Sequence, residues 1–237
     1  AEDLAKEGAK GIIITSRTAA KSKQAIERIS AYGAEVLFVA ADLTKATDCS
    51  QLVEAADRHF GRIDGLVNSA AHTHRGTIEE TTLEMWEQHM TINLRAPFLL
   101  MQGCIRIMQR EQIAGSIVNI ASTSAYGGQP FLTPYVTSKG GLVALTKNVA
   151  FSQLEHRIRV NAVLPGWMDT PGEHAIQKLF HQAPDDWLEK ASAKMPMGKL
   201  AQPKELARLI TLLLSDQGGV MTGAVIDYDQ KVVGAFA

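Results

Sequence analysis

This chain of 237 residues contains few cysteines and has a net charge close to zero. Only two cysteines occur, Cys49 and Cys104, and both fall in segments that are predicted to be helical. So few thiols exclude a disulfide framework and favour a reducing compartment, so a cytoplasmic location is expected. The formal net charge is −1, which gives no indication of a nucleic-acid partner or of an anionic membrane surface.

Long apolar runs, internal repeats and linkers are also missing. No apolar stretch reaches the length that spans a membrane and no signal peptide is visible, so no membrane partner is expected. The scattered histidines show no metal-ligand spacing on a common helix face, so no metal is expected. With 46% apolar residues and no linker, residues 1–237 are predicted to form a single domain.

Strand-like and helix-like segments alternate along the whole sequence. The predicted strands are residues 11–16, 35–40, 63–69, 116–121, 159–164 and 224–227. The predicted helices are residues 1–7, 19–32, 45–60, 83–112, 134–155, 172–193 and 203–215. Continuous apolar strands that alternate with helices predict an α/β fold in which a parallel sheet is covered by helices on both faces.

A tyrosine and a lysine, Tyr135 and Lys139, lie four residues apart in one predicted helix. On a helix they share one face, one turn apart. A nearby cation favours the phenolate and lowers the tyrosine pKa from its ordinary value of about 10. Such a phenol can give a proton to a carbonyl oxygen or take one from an alcohol. The pair predicts a general acid/base; the alternative is an ordinary exposed pair on a helix surface.

Ser122 precedes Tyr135 by thirteen residues and directly follows the apolar run 116–121. The carboxyl ends of parallel strands are where open α/β sheets bind ligands. Pro134 suits the first turn of the next helix, which puts Tyr135 close to its start. The order therefore predicts a serine at a strand tip that faces a tyrosine at a helix entry. Alternatively, Ser122 caps the loop after its strand, and Ser124 lies close enough to be confused with it.

With these residues in hand, the chain resembles a single-domain short-chain dehydrogenase/reductase over essentially its whole length. Further motifs resemble those of the family in the family's order, namely Asp42 with Leu43, Asn68-Ser69-Ala70-Ala71, Ile92-Asn93-Leu94, Pro165-Gly166 and Thr170. The resemblance implies a doubly wound parallel sheet of strand order 3-2-1-4-5-6-7. It also implies an NAD(P)-dependent oxidoreductase that acts on a small alcohol or carbonyl compound, and a homo-tetramer.

The resemblance implies a catalytic tetrad of Asn93, Ser122, Tyr135 and Lys139. Tyr135 would be the general acid/base, Ser122 would orient the reacting oxygen, and Asn93 would hold a water that relays protons. Lys139 would lower the tyrosine pKa and bind the nicotinamide ribose. The implied cofactor contacts, besides Tyr135 and Lys139, are Asp42, Leu43, Asn68, Ala70, Pro165, Gly166 and Thr170.

Each of these motifs also has a structural alternative. Asn93 could be a buried helix asparagine that bonds a neighbouring backbone carbonyl. Asp42 could be an N-cap, and Pro165-Gly166 could be an ordinary turn. Their joint order favours the functional interpretation over these alternatives.

Two departures from the family pattern stand out. The family carries Thr-Gly-x3-Gly-x-Gly before the helix that begins here at Ala1, where the glycines let the backbone approach a pyrophosphate. We expect this turn and a first strand to precede residue 1, because that strand would be central in the sheet, between segments 11–16 and 63–69. The second departure is Ser69 and Ala71 within Asn68-Ser69-Ala70-Ala71, where Ala71 adds a methyl group in place of the family's glycine.

The tip of the strand at 11–16 decides which nicotinamide cofactor is expected. An acidic side chain there binds the adenine-ribose 2′-hydroxyl and selects NAD, whereas an arginine accommodates a 2′-phosphate. The tip here contains Arg17 and no acid, and an arginine is suited to phosphate through its planar fork of donors. NADP(H) is therefore expected over NAD, although a solvated arginine at a helix start would look the same.

The substrate is expected over Ser122 and Tyr135, under a lid-like insertion at residues 169–193. Trp167 and Trp187 could form a wall for a small polar substrate such as a polyol or a sugar, or could be core residues. Outward-facing Met101, Ile105 and Met108 are compatible with a subunit interface, but also with the core. Two other functions share the fold: an epimerase or dehydratase that uses the same Tyr-x3-Lys pair, and a non-catalytic dinucleotide-binding regulator.

Overall fold

Six parallel strands lie at the centre of a computed structural model that describes residues 1–232, apart from the side chain of Lys21. The strands are β1 (Gly11–Ser16), β2 (Glu35–Ala40), β3 (Gly65–Asn68), β4 (Ser116–Ile120), β5 (Arg159–Pro165) and β6 (Val225–Tyr228). All lie within two residues of the predicted bounds. The α/β fold is confirmed.

The strands pair in two groups. β1 pairs with β2, and β3, β4, β5 and β6 follow one another in a second sheet, with every pair parallel. If β1 to β6 correspond to the second to seventh strands of the order 3-2-1-4-5-6-7, all of these neighbour pairs agree with that order. An additional strand between β1 and β3 stays a prediction.

Helices connect the strands and cover both faces. They are α1 (Glu2–Lys6), α2 (Lys23–Ser30), α3 (Ala46–Phe60), α4 (Leu83–Met90), α5 (Ala96–Arg110), α6 (Thr133–Ser152), α7 (Pro171–His181), α8 (Trp187–Ala193) and α9 (Pro203–Leu214). The predicted helix 172–193 is therefore two helices. Within residues 1–232, no helix combines the length and the apolar character that crossing a bilayer requires.

Side-chain alternation along β4 shows why its sequence is apolar throughout. Ile117 packs in the cluster formed by α3 and α5, whereas its neighbour Val118 packs against α9 on the opposite face. Successive side chains of a strand point to opposite faces, so a strand that is covered twice needs apolar residues at every position. The same large cluster contains Ile13 of β1 and Val160 of β5, so the core joins both sheets.

This packing decides between the two interpretations of three apolar residues of α5. Met101, Ile105 and Met108, which are compatible with an interface in the sequence, are buried in the core. Trp187 is also buried, as its core alternative expects. Both cysteines are free and buried.

The predicted long helix at 83–112 is interrupted by one wider turn. Residues Thr91–Arg95 are π-helical and join α4 to α5 without a break. Pro97 explains the turn, because proline has no N–H for the carbonyl four residues earlier and its ring crowds that carbonyl. Here that carbonyl belongs to Asn93, so the turn lies around a predicted catalytic residue. Turns of this kind are frequent at functional sites.

Candidate active site

The carboxyl ends of neighbouring strands carry the predicted site residues. They follow or end five different strands and are Arg17 after β1, Asp42 and Leu43 after β2, Asn68 and Ala70 at β3, Ser122 after β4, and Pro165 and Gly166 at β5. Because the strands are parallel, these ends meet at the same edge of each sheet. The fold therefore collects at one edge the residues that the sequence predicts to act together.

Ser122 lies just after β4 with only 9% of its surface exposed. Its hydroxyl oxygen accepts a hydrogen bond from the backbone N–H of Ser124 at 3.1 Å and caps the short 3₁₀ helix Thr123–Tyr126. The capping alternative is thus real, and the hydroxyl also lies near enough to Tyr135 to act on the pKa of its phenol. A hydroxyl carries one donor and two acceptor positions, so the two contacts are compatible.

Tyr135 lies in the first turn of α6, where Pro134 precedes it as expected. The start of this helix is held by the loop after β3. Gly76 donates its N–H to the carbonyl of Phe131 at 2.9 Å, and its own carbonyl accepts from the N–H of Thr133 at 3.0 Å. The phenol is therefore fixed between two loops at the carboxyl edge of the sheet.

Lys139 lies one turn further along α6 and is 2% exposed. Its Nζ donates to the carbonyl oxygen of Ile120 at 2.7 Å, and it lies 5.8 Å from the centroid of the Tyr135 ring. Burial lowers the pKa of this amine to about 8, because desolvation disfavours the charged form. The structure thus brings Ser122, Tyr135 and Lys139 together.

The pKa of Tyr135 differs from the expectation. Burial raises it above its ordinary value of 10, while the nearby Ser122 hydroxyl and the charge of Arg75 act in the opposite direction. Lys139 was expected to lower this pKa, but its amine is engaged by Ile120 and is itself shifted toward its neutral form. In the protein alone, the phenol is therefore held in its protonated form.

Asn93 is fully buried and acts as a clamp. Its Oδ1 accepts from the backbone N–H of His72 at 2.7 Å, and its Nδ2 donates to the carbonyl of His72 at 3.0 Å and to Oγ of Ser138 at 3.0 Å. Ser138 Oγ in turn donates to the carbonyl of Tyr135 at 2.8 Å. The structural alternative for Asn93 is therefore borne out, and it links the loop after β3 to the backbone that carries the phenol.

Asn68 is the last residue of β3, and one oxygen atom of its side chain has no hydrogen-bond partner in the described residues. Its Nδ2 donates to Oδ1 of Asn119 at 2.8 Å, and Nδ2 of Asn119 donates to Oγ1 of Thr146 at 2.9 Å. Its own Oδ1 is buried and, among the described residues, has no partner. A buried acceptor without a partner costs about 1–3 kcal/mol, so this atom fits a ligand hydroxyl such as that of a ribose.

Arg17 and Asp42 lie just after the carboxyl ends of β1 and β2, in the two-stranded sheet. Arg17 is exposed, and its charge helps to lower the pKa of Asp42, although hydrogen bonds from Thr44 contribute more. Oδ1 of Asp42 accepts from the N–H of Thr44 at 3.0 Å and from its hydroxyl at 2.8 Å. Asp42 therefore stabilises its own loop but is not the N-cap of α3, which is Lys45. Leu43 packs against the main core.

The remaining predicted residues border the edge near β5. A Cβ on Gly166 would lie 2.1 Å from Cγ of Asp229, so only glycine fits there without displacing that side chain. The hydroxyl of Thr170 accepts from the N–H of Glu173 at 3.0 Å and caps α7. Ala70 is exposed after β3.

Sequence reasoning missed one charged side chain that acts on this site, Arg75. Its charge acts on the pKa of Tyr135, and it lies 3.9 Å from Glu173. The sequence shows only that Arg75 lies in the loop after β3. It does not show that this loop pairs with the start of α6, which brings Arg75 toward the site. In the described part of the chain, no group of three or more metal-type side chains is placed to hold a metal ion.

Comparisons with known proteins identify the family of this chain. A family model described as enoyl-(acyl carrier protein) reductase matches residues 1–230. An uncharacterised oxidoreductase of Thermotoga maritima is 36% identical over 226 residues, which cover 95% of this chain and 88% of the relative. The chain belongs to the short-chain dehydrogenase/reductase family, and it is an oxidoreductase.

Solved structures support the same assignment. L-sorbose reductase from Gluconobacter frateurii, complexed with NADPH and L-sorbose, has a TM-score of 0.91 at 27% identity and covers 99% of this chain and 91% of its own. An NAD⁺-bound xylitol dehydrogenase has a TM-score of 0.86 at 25% identity and covers 97% and 94%. These neighbours bind a nicotinamide dinucleotide, one as NADP and one as NAD. The comparisons favour an oxidoreductase over the epimerase, dehydratase and regulator alternatives.

Proposed function

We propose that this chain transfers a hydride between NADP(H) and a small alcohol or ketone. The observation that carries the proposal is that Ser122, Tyr135 and Lys139 lie close together at the carboxyl end of β4. A serine, a phenol and an amine at the carboxyl edge of a parallel sheet form a proton-exchanging site for a reacting oxygen.

Each member of this site has a role that its contacts support. Tyr135 gives a proton to the oxygen of a ketone, and its raised pKa keeps that proton available at neutral pH. Ser122 orients the same oxygen through its hydroxyl. Lys139 would bind the ribose of the dinucleotide, and Asn93 positions Tyr135 through Ser138. The nicotinamide, when bound, supplies the hydride.

The residues at the outer edge fit the dinucleotide. The unpartnered Oδ1 of Asn68 suits a hydroxyl donor, and the exposed Arg17 suits a 2′-phosphate. Further contacts are proposed for Asp42, Leu43, Ala70, Pro165, Gly166 and Thr170. NADP is proposed over NAD because an arginine and no acid follow β1.

Polyols and sugars are proposed as the first substrates to test. Two structural neighbours are named for L-sorbose and xylitol. A lid formed by residues 169–193 is proposed because α7 brings Glu173 toward Arg75.

A single domain over residues 1–237, a cytoplasmic location and a homo-tetramer complete the proposal. Light scattering should give about four times the 25.7 kDa chain mass, and a monomer mass would contradict the tetramer.

A carbonyl panel with NADPH and with NADH tests the reaction. The purified protein should oxidise NADPH only when a suitable carbonyl is present, with a higher kcat/KM than for NADH. A clear NADH preference would overturn the cofactor choice. Activity restricted to steroid or fatty-acyl ketones would refute the polyol or sugar class, and no activity with any carbonyl would count against the function itself.

A further inference from the structure

Arg75 has far fewer partners than its donors require. A guanidinium carries five N–H donors. Nη1 of Arg75 reaches the carbonyl of Thr73 at 3.4 Å, Nη2 lies 3.9 Å from Oε1 of Glu173, and the buried Nε has no partner in the described residues. The side chain is only 16% exposed, so water does not readily replace the missing partners.

The position of Arg75 is fixed next to the proposed acid/base. The neighbouring residue Gly76 pairs with the backbone of Phe131 and Thr133, directly before Tyr135. The guanidinium lies 5.7 Å from the centroid of the Phe131 ring. Its charge is felt by the phenol, whose pKa it lowers. A group bound by Arg75 would therefore belong to the same small molecule that reacts at Tyr135.

Glu173 accompanies Arg75 without satisfying it. Its Oε1 accepts from Nε1 of Trp167 at 2.8 Å and from Nε2 of Gln177 at 2.7 Å. These bonds hold the carboxylate on α7, at a distance from Arg75 that is too long for a hydrogen bond. Arg75 thus keeps free donors, while the nearby negative charge disfavours a second, doubly charged anion.

We propose that Arg75 binds a carboxylate of the substrate, so that small keto acids and hydroxy acids are preferred over their neutral analogues. A planar guanidinium matches a carboxylate through two parallel hydrogen bonds. The single charge of a carboxylate suits a site that Glu173 borders better than the double charge of a phosphate does. This assignment rests on the proposed function, because it names the substrate class of the same site.

Matched substrate pairs test the assignment in the unmodified protein. Pyruvate is compared with hydroxyacetone, and acetoacetate with its methyl ester, so that only the charged group changes. At least one acid should exceed its neutral partner in kcat/KM by roughly 10- to 100-fold, which corresponds to the 1.5–3 kcal/mol of a charged hydrogen bond. Equal rates within both pairs, or a preference for dihydroxyacetone phosphate over both acids, would overturn it.

Variants of the ion pair test which residue is responsible. Arg75→Met should bring the ratio of kcat/KM for the acid to kcat/KM for its neutral partner down to about one, and Arg75→Lys should restore part of that ratio. Glu173→Gln should increase the advantage, because a competing negative charge is lost. Arg62→Met is the matched control, since Arg62 is exposed and pairs with Asp64. An acid preference that survives Arg75→Met would contradict the assignment.

A binding measurement separates this inference from the proposed reaction. Calorimetry with acetoacetate on Tyr135→Phe requires no turnover. Binding that is lost in the double variant with Arg75→Met supports the carboxylate site even if no carbonyl is reduced, whereas binding that the second substitution leaves unchanged overturns it. Failure of the carbonyl panel alone would instead count against the hydride transfer.

Discussion

Tyr135 and Lys139 are two ionisable residues whose burial shifts their pKa values in opposite directions. The phenol pKa is raised, and the amine pKa is lowered to about 8. Desolvation favours the neutral form of each group, so one physical cause explains both shifts. At neutral pH the tyrosine is therefore a proton donor, which is the form that ketone reduction needs.

The raised phenol pKa can be measured in the protein without added cofactor. The tyrosinate absorbance that Tyr135→Phe removes should appear only above pH 10, the ordinary value for the residue. Lys139→Met should leave this ionisation in place, because Lys139 bonds to Ile120 rather than to the phenol. An ionisation below pH 10 that is absent in Tyr135→Phe would show that the positive charge of Lys139 lowers the phenol pKa more than burial raises it.

Arg17 gives the cofactor choice a residue-level test. Arg17→Ala should lower kcat/KM for NADPH by about tenfold or more and leave that for NADH nearly unchanged, since only NADPH carries the 2′-phosphate. The steady-state kinetics of both cofactors provide the measurement, and Arg62→Met serves as a control for loss of a surface charge. Equal losses with both cofactors would contradict a phosphate contact.

At the scale of elements, the wide turn Thr91–Arg95 is the device that fixes α6 against the loop after β3. Asn93 projects from this turn and bonds to His72 and to Ser138. Asn93 does not contact the phenol itself. It acts on Tyr135 through Ser138, whose hydroxyl donates to the backbone carbonyl of Tyr135. Asn93 is thus a positioning residue in this structure.

Replacing Asn93 by alanine should destabilise the fold and misplace the phenol. The change removes three hydrogen bonds and leaves buried partners unsatisfied, so we expect a loss of about 2–4 kcal/mol in the free energy of unfolding. Urea unfolding provides the measurement, with Asn148→Ala, an exposed position on α6, as the control. Similar stabilities of the two variants would contradict the clamp.

The elements also show what a sequence can and cannot predict. Apolar runs located every strand, because strands that are covered on both faces must be apolar at each position. The wide turn at Thr91–Arg95 was not predicted, because a helical period alone does not reveal a one-residue expansion. The pairing of Gly76 with Phe131 and Thr133 could not be predicted, because it joins loops that are far apart in sequence and have no apolar pattern. Arg75 was missed for that reason.

At the scale of the whole molecule, the half-buried His72 is one of the groups that link stability to pH. His72 lies 4.4 Å from His74 and 4.5 Å from His89, measured between ring centroids. Burial, followed by the neighbouring His89 and His74, lowers the pKa of His72 to about 4 from 6.5. The unfolded chain therefore binds a proton between pH 6.5 and 4 that the folded protein does not bind, and stability falls as the pH is lowered through that range.

Replacing His72 by phenylalanine should make the unfolding midpoint in urea less dependent on pH. The wild type should lose more stability than His72→Phe between pH 6.5 and 4, because the variant lacks the proton uptake. The comparison of the two slopes separates this effect from that of carboxylates, which both proteins share. Parallel slopes would show that His72 is not held neutral by the fold.

The central claim is that Tyr135 exchanges the substrate proton beside a bound dinucleotide. The most direct test is the kcat of Tyr135→Phe for carbonyl reduction, measured together with the affinity for NADPH. We expect kcat to fall by about 10²-fold or more while NADPH still binds, because the phenyl ring keeps the shape and loses the proton. A kcat that stays within a few-fold of the wild-type value, with the cofactor bound, would contradict the account.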